Sequence, residues 1–184
     1  MNKLNISQDH FHTAAQRVAR LHIAFAALYG VQTIIFHATK VITPEVAWWR
    51  WLAVCALLVV AASTWMIALQ RHAPINIYKS CLWLIIVADL AFAAFNVYIQ
   101  RGYASNSVIL FLIPIIVAAT LASRSTLIGT ALLATAVYAA TTISYFQLNF
   151  NEGYLSELYG EIALSSGIFL LTAILLWTAT HKHR

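Results

Sequence analysis

The sequence predicts an all-α fold: a polytopic membrane protein, a bundle of six transmembrane helices with N- and C-termini cytoplasmic. Three observations predict it. Of the 184 residues, 61% are hydrophobic and only 9% charged, where a water-soluble domain carries about 25% charged residues. The apolar residues form continuous runs of roughly 17–24 residues, which suits helices crossing a hydrocarbon core and not the short alternating strands of a barrel. The lysines and arginines between the runs are unevenly distributed, and that bias orients the bundle. Mean hydropathy is +0.77.

The elements follow in order along the chain. Residues 1–17 are polar and form a cytoplasmic or interfacial tail, with a short interfacial helix expected from Ser7 or Asp9 onward. No apolar run with a small-residue cleavage site follows Lys3, so a cleaved signal peptide is not expected. The transmembrane domain covers residues 18–180. Its first span runs from Val18 to Ala38 and its second from Ala47 to Gln70, opened by Trp48, Trp49 and Trp51. Such a tryptophan cluster marks a membrane interface, where a bulky amphipathic ring prefers to sit. The third span runs from Tyr78 to Gln100, the fourth from Ser107 to Ser123, the fifth from Thr126 to Gln147 and the sixth from Tyr159 to Thr180. Only a short turn around Arg124 separates spans four and five, which predicts an antiparallel hairpin. Residues 181–184 form a cytoplasmic tail.

The net charge of +5 does not indicate a nucleic-acid partner, because the cations are scattered rather than gathered in a patch. Topology accounts for them. With the N-terminus inside, the inner segments hold Lys3, Arg17, Arg20, Arg71, Lys79, Arg124, Lys182 and Arg184, and the outer ones only Lys40, Arg50 and Arg101. The expected location is the plasma (inner) membrane, in multi-pass form.

Polar residues inside the spans cost energy and therefore carry information. Asp89 lies near the middle of span three, where an aspartate costs roughly 2.5–3.5 kcal/mol to insert. Asn96 and Gln100 follow it on the same helical face. In span five Thr135, Tyr138, Thr142, Tyr145 and Asn149 recur at steps of three and four, tracing another face. Glu161 stands just inside the outer end of span six. Pro114 removes a backbone donor from span four, which predicts a kink there. Each feature also has a plain structural use, as an interhelical hydrogen bond, a close-packing face or a wetted carboxylate.

Several chemistries are not expected. No P-loop, nucleophile elbow, metalloprotease motif or dinucleotide fingerprint is present, so the chain is not read as an enzyme. Cys55 and Cys81 lie inside apolar runs without metal-ligand spacing, and buried free thiols are expected. His37 of span one has no mate at the outer end, and His22 could pair only with a tail or loop histidine at the inner face, so a haem held by two histidines is not expected.

Residues 101–141 carry a resemblance to a known family. Gly102, Asn106, Leu112, Pro114, Ala118, Ala119, Leu121 and Arg124 fit its pattern of a glycine-rich outer loop, an apolar helix with proline and paired alanines, and a short basic turn. Tyr103, Ser107 and Val108 depart from it, standing where the family has Gly, Pro and Phe. This stretch resembles the six-helix membrane input domain of redox-responsive sensor histidine kinases. The resemblance implies quinone as a ligand sensed at the outer loop, with Gly102 and Asn106 at that site. It also implies a signalling role without a kinase core in this sequence, either as an isolated input domain or as a stand-alone relative that signals through a kinase or response-regulator partner.

The expectation is therefore a membrane sensor module in a two-component system. A quinone or other apolar ligand would occupy an outer-half pocket formed by Asp89, Asn96, Gly102, Asn106, Pro114, Tyr138, Tyr145 and Glu161. Candidate partners are the lipid bilayer, a kinase or response regulator, and a second copy of the chain. The rival expectation is a small transport protein or substrate-binding subunit of an uptake system, for which Ala26 and Gly30 offer a small-residue docking pair on span one.

Overall fold

The structure, a computed structural model, describes residues 3–70, 73–100, 105–149 and 155–181. All regular elements among them are helical. In chain order they are α1 (Lys3–Ala38), α2 (Pro44–Leu69), α3 (Ile75–Ile99), a 3-10 segment (Asn106–Phe111), α4 (Leu112–Ala119), α5 (Arg124–Asn149) and α6 (Leu155–His181). Five helices are long and apolar enough to cross a membrane, and the stretch Asn106–Ala119 is shorter. The chain divides into two compact units, Met1–Ile85 and Ile86–Arg184, with the boundary inside α3.

In the first unit α1 and α2 form a hairpin. The sequence predicts a polar tail followed by a span from Val18, but α1 is one uninterrupted helix from Lys3. No glycine or proline interrupts the tail, so its polarity changes the environment of the helix and not its conformation. Phe11, Ala15, Val18, His22, Ala26, Tyr29 and Thr33 are all buried. Their spacing of three and four makes one continuous inner face. On α2 the matching stripe is Ala47, Arg50, Val54, Leu57, Ala61, Thr64 and Ala68. Thr43 caps α2, its hydroxyl accepting from the amide of Val46 at 3.3 Å, and Pro44 occupies the first turn, where its missing donor costs nothing. A Cβ on Gly30 would meet the Trp51 ring at 3.4–3.5 Å, so Gly30 is spent on packing against α2 within this unit. Of the two thiols, Cys81 is buried as expected, but Cys55 is exposed on α2, one position off the inner stripe.

The end of α2 is tied to α1. The side-chain amide of Gln16 donates to the Ala68 carbonyl at 2.9 Å, and that of Gln8 to the Ala73 carbonyl at 3.1 Å. The Tyr78 hydroxyl donates to the Gln70 carbonyl at 2.5 Å. These groups satisfy acceptors left open where the helix stops. Edge-to-face contact of His12 on Tyr78 and the Lys79 ammonium over the Phe11 ring complete the junction.

In the second unit α5 packs on α6, and α4 packs on both. The fourth segment departs most from the sequence expectation. Instead of a kinked 17-residue helix there is a six-residue 3-10 segment followed by an eight-residue α-helix. Proline explains the split: an α-helix running through Pro114 would leave the Leu110 carbonyl without its donor and clash with the ring. Pro114 instead falls in the first turn of α4. With rises of about 2.0 and 1.5 Å per residue, the two pieces reach roughly 24 Å, short of a hydrocarbon core of about 30 Å. The α4–α5 turn is as tight as expected, with Ala122 in the left-handed region at φ 53°.

The outer faces of the long helices are apolar. Leu21, Leu28 and Ile34 of α1, Val59 and Met66 of α2, and Leu171, Ile174 and Leu175 of α6 are more than half exposed. Meanwhile Arg50, Asp89, Asn96 and Thr142 are buried. Apolar outside and polar inside is the distribution that lipid contact favours and water opposes.

Candidate functional site

Asp89 and Asn96 lie on the inner face of α3, 3% and 1% exposed. They are held there by the helix period, since Leu90, Ala93 and Val97 bury with them. Asn96 donates through Nδ2 to the Phe92 carbonyl at 2.8 Å. One turn further on, Gln100 anchors the next element. Its Oε1 accepts from the Ser107 hydroxyl at 2.7 Å and the Ser105 hydroxyl at 3.4 Å. Ser105 in turn caps the 3-10 segment, accepting from the Ser107 amide at 3.0 Å. The α3 polar stripe therefore ends in a network that fixes where the fourth segment begins. Asn106, between the two serines, points outward and is exposed. Gly102 lies outside the described residues.

The α5 stripe divides. Tyr138 and Thr142 are buried with Leu127, Ala131, Ala134 and Phe146, whereas Thr135 and Tyr145 are half-buried and Asn149 is exposed. Tyr138 closes a cluster of three rings with Phe111 and Phe169, at centroid distances of 5.7 Å and 6.0 Å, and Phe111 stands 5.7 Å from Phe169. Pro114 is buried at the start of α4. These residues fill the interior of the second unit. They join the 3-10 segment, α5 and α6 into one packed core rather than lining an open cavity.

Glu161 is exposed and does not join this cluster. The inner face of α6 runs through Leu158, Ser165, Phe169 and Ala173, and Ile162, not Glu161, lies between the first two.

An accessible feature in this unit is a groove of about 400 Å³ between the C-terminal parts of α3 and α5, lined by Ala94, Phe95, Tyr98, Ala140, Thr141 and Ser144. It is a shallow feature, open along most of its surface. Tyr98 stands edge-to-face on Tyr145 at 5.6 Å, which braces one wall. The walls are mostly apolar, and the hydroxyls of Tyr98, Thr141 and Ser144 are the polar groups on the lining residues. Such a lining suits an apolar ring bearing hydrogen-bond acceptors. It does not supply a general acid and base or a nucleophile with its activating partner. The stripe that sequence periodicity picks out lies one position away on α5. The sequence signal for the groove is Thr141 and Ser144, three residues apart on a less buried flank of α5 than Tyr138 and Thr142.

A second feature, in the first unit, lies outside the polar stripes that the sequence singles out. Arg50 is 3% exposed, with its guanidinium 5.5 Å from the centroids of both the Tyr29 and Phe36 rings. Nε and Nη1 are shut away from solvent without a hydrogen-bond partner among the described residues. A cation–π contact contributes about 0.5–2 kcal/mol, but each unmade hydrogen bond of a buried donor costs about 1–3 kcal/mol. Arginine has no means of relief, because it does not deprotonate in proteins.

No family model, no curated protein and no solved structure matches the chain.

Proposed function

We propose that the chain is a membrane-embedded sensor module that binds a quinone or a similar apolar, acceptor-bearing ligand and passes its occupancy to a signalling partner. The observation that carries this reading is the groove between α3 and α5. It combines mostly apolar walls with three hydroxyl-bearing residues, Tyr98, Thr141 and Ser144, and a flat apolar ring with carbonyl oxygens is the kind of ligand that combination suits. The site residues are then these three, with Tyr145 bracing the wall. Asp89, Asn96 and the Gln100–Ser105–Ser107 network set the position of α3 and the fourth segment behind it. Tyr138 and Pro114 serve the core.

The proposal takes the fourth segment as the short member of six membrane-embedded helices, with both termini cytoplasmic and the plasma (inner) membrane as host. The bias of Lys and Arg toward the inner segments supports that orientation. The resemblance of residues 101–141 to sensor-kinase input domains supports sensing as the role, with a kinase or response regulator downstream. A ligand held between α3 and α5 would favour one arrangement of these helices over another, by no more than its differential affinity for the two. Because α6 packs on α4 and α5, its cytoplasmic end is the natural place for the output.

The test is to purify the chain in mild detergent, extract it with organic solvent and identify the bound molecules by mass spectrometry. Near-stoichiometric quinone or another carbonyl-bearing apolar compound from the wild type, lost in Ala140→Phe, supports the proposal. Recovery of no such compound, or equal recovery from the filled-groove variant, refutes it.

A further inference from the structure

Arg50 poses a problem that the sensor reading does not address. It is the seventh residue of α2, about 9 Å along the helix axis from its start, and it belongs to the inner stripe that faces α1. Tyr29 and Phe36 are two turns apart on α1, and the guanidinium sits between their rings. The electron-rich ring faces attract its charge but accept no ordinary hydrogen bond from its N–H groups. Nε and Nη1 have no partner among the described residues. A permanently charged, planar donor in that state calls for an acceptor with oxygens in its own plane, which is the geometry of a carboxylate or a phosphate.

The surroundings indicate what such an acid carries. Trp48 and Trp49, immediately before Arg50, are 67% and 46% exposed, and exposed tryptophans at the start of a span mark headgroup depth. Ile35, beside Phe36 in sequence, and Leu52 are each 52% exposed and apolar. The geometry points to a binding site for an anionic amphiphile: a phosphate or carboxylate group accepting from the in-plane donors of Arg50, beside Tyr29 and Phe36, with its hydrocarbon portion lying along the outside of the α1–α2 hairpin. The acid group has two natural sources, the headgroup of a membrane phospholipid and a free long-chain acid.

The full-length chain in dodecyl maltoside is titrated with dioctanoyl phosphatidylglycerol, decanoate, 1-decanol and inorganic phosphate, and bound species are counted by native mass spectrometry. The expected result is saturable binding of at least one charged amphiphile to the wild type. That binding should fall at least about tenfold in Arg50→Gln, the loss of one charge-assisted hydrogen bond. Arg50→Lys should fall between, since an ammonium keeps the charge but not the planar donors. Binding of phosphatidylglycerol alone assigns the site to a lipid headgroup, and binding of decanoate to a free acid; both support the inference. Should Arg50→Gln not fold, the wild type decides: decanoate or phosphatidylglycerol must exceed 1-decanol by the same factor. Equal binding of charged and uncharged amphiphiles, undiminished binding in Arg50→Gln, binding of inorganic phosphate as tight as that of the amphiphiles, or no binding at all overturns it.

Discussion

The side-chain amide of Gln16 donates to the carbonyl of Ala68 at 2.9 Å, across 52 positions of sequence. It joins the polar start of α1 to the last turn of α2, where carbonyls have no helical partner. Gln16→Ala should therefore lower stability by about 1–2 kcal/mol, the cost of leaving a part-buried acceptor unsatisfied. Gln16→Glu should cost more, because a carboxylate meets the carbonyl without a proton to share. Unfolding in mixed micelles measures both, and wild-type stability in Gln16→Ala would show that the contact is not formed.

Among the described residues, two turns carry an L-residue in the left-handed region: Lys40 at φ 58° and Ala122 at φ 53°. Lys40 ends α1 in a Schellman arrangement, with the Val41 amide donating to the Phe36 carbonyl at 2.9 Å. Glycine adopts this conformation without steric cost. Lys40→Gly and Ala122→Gly should each stabilise the protein by about 1 kcal/mol. The check is thermal denaturation in detergent, where a lower melting temperature in both variants would contradict the turn geometry.

Much of this architecture is legible from apolar run length, because a bilayer imposes a length on each helix. Five spans match the structure within a few residues at most ends, and Pro44 and Pro74 mark the starts of α2 and α3. Two features are not legible. The tail of α1 is polar yet helical, since Ala14, Ala15 and Gln16 sustain a helix whatever surrounds it. The fourth segment is shortened because Pro114 acts on the carbonyl four residues back, which fixes where α-geometry begins and not merely whether it bends.

The candidate site is legible in part, for physical reasons that differ by residue. Asp89 and Asn96 can be placed inward because their insertion cost leaves no alternative. Glu161 cannot, because a carboxylate near a helix end has water within reach and the inner face passes through Ile162. Arg50 reads as an interfacial cation beside three tryptophans. The signal against that reading is the regular stripe from Ala47 to Ala68, of which it is a member. The groove residues Thr141 and Ser144 escape notice because a hydroxyl in a span carries little cost.

The ring cluster predicts a graded series. Tyr138→Ala should destabilise the second unit by about 3 kcal/mol, through the cavity left between Phe111 and Phe169. Tyr138→Phe preserves all three rings and should stay within about 1 kcal/mol of wild type. Thermal unfolding in detergent separates the two, and equal losses would show that the hydroxyl, rather than the ring, matters there.

Orientation is testable from the two positions that flank α2. In a background of Cys55→Ser and Cys81→Ala, a membrane-impermeant maleimide added to intact cells should label Lys40→Cys. It should reach Gln70→Cys only after permeabilisation. The reverse pattern would invert the proposed topology.

The central claim is that the α3–α5 groove takes an apolar carbonyl ligand, and equilibrium dialysis of the purified chain against a short-chain benzoquinone tests it most directly. The account predicts saturable binding at one site per chain, weakened at least about tenfold in Ala140→Phe, where a ring fills the groove. Non-saturable partitioning, or the same affinity in both proteins, would contradict it.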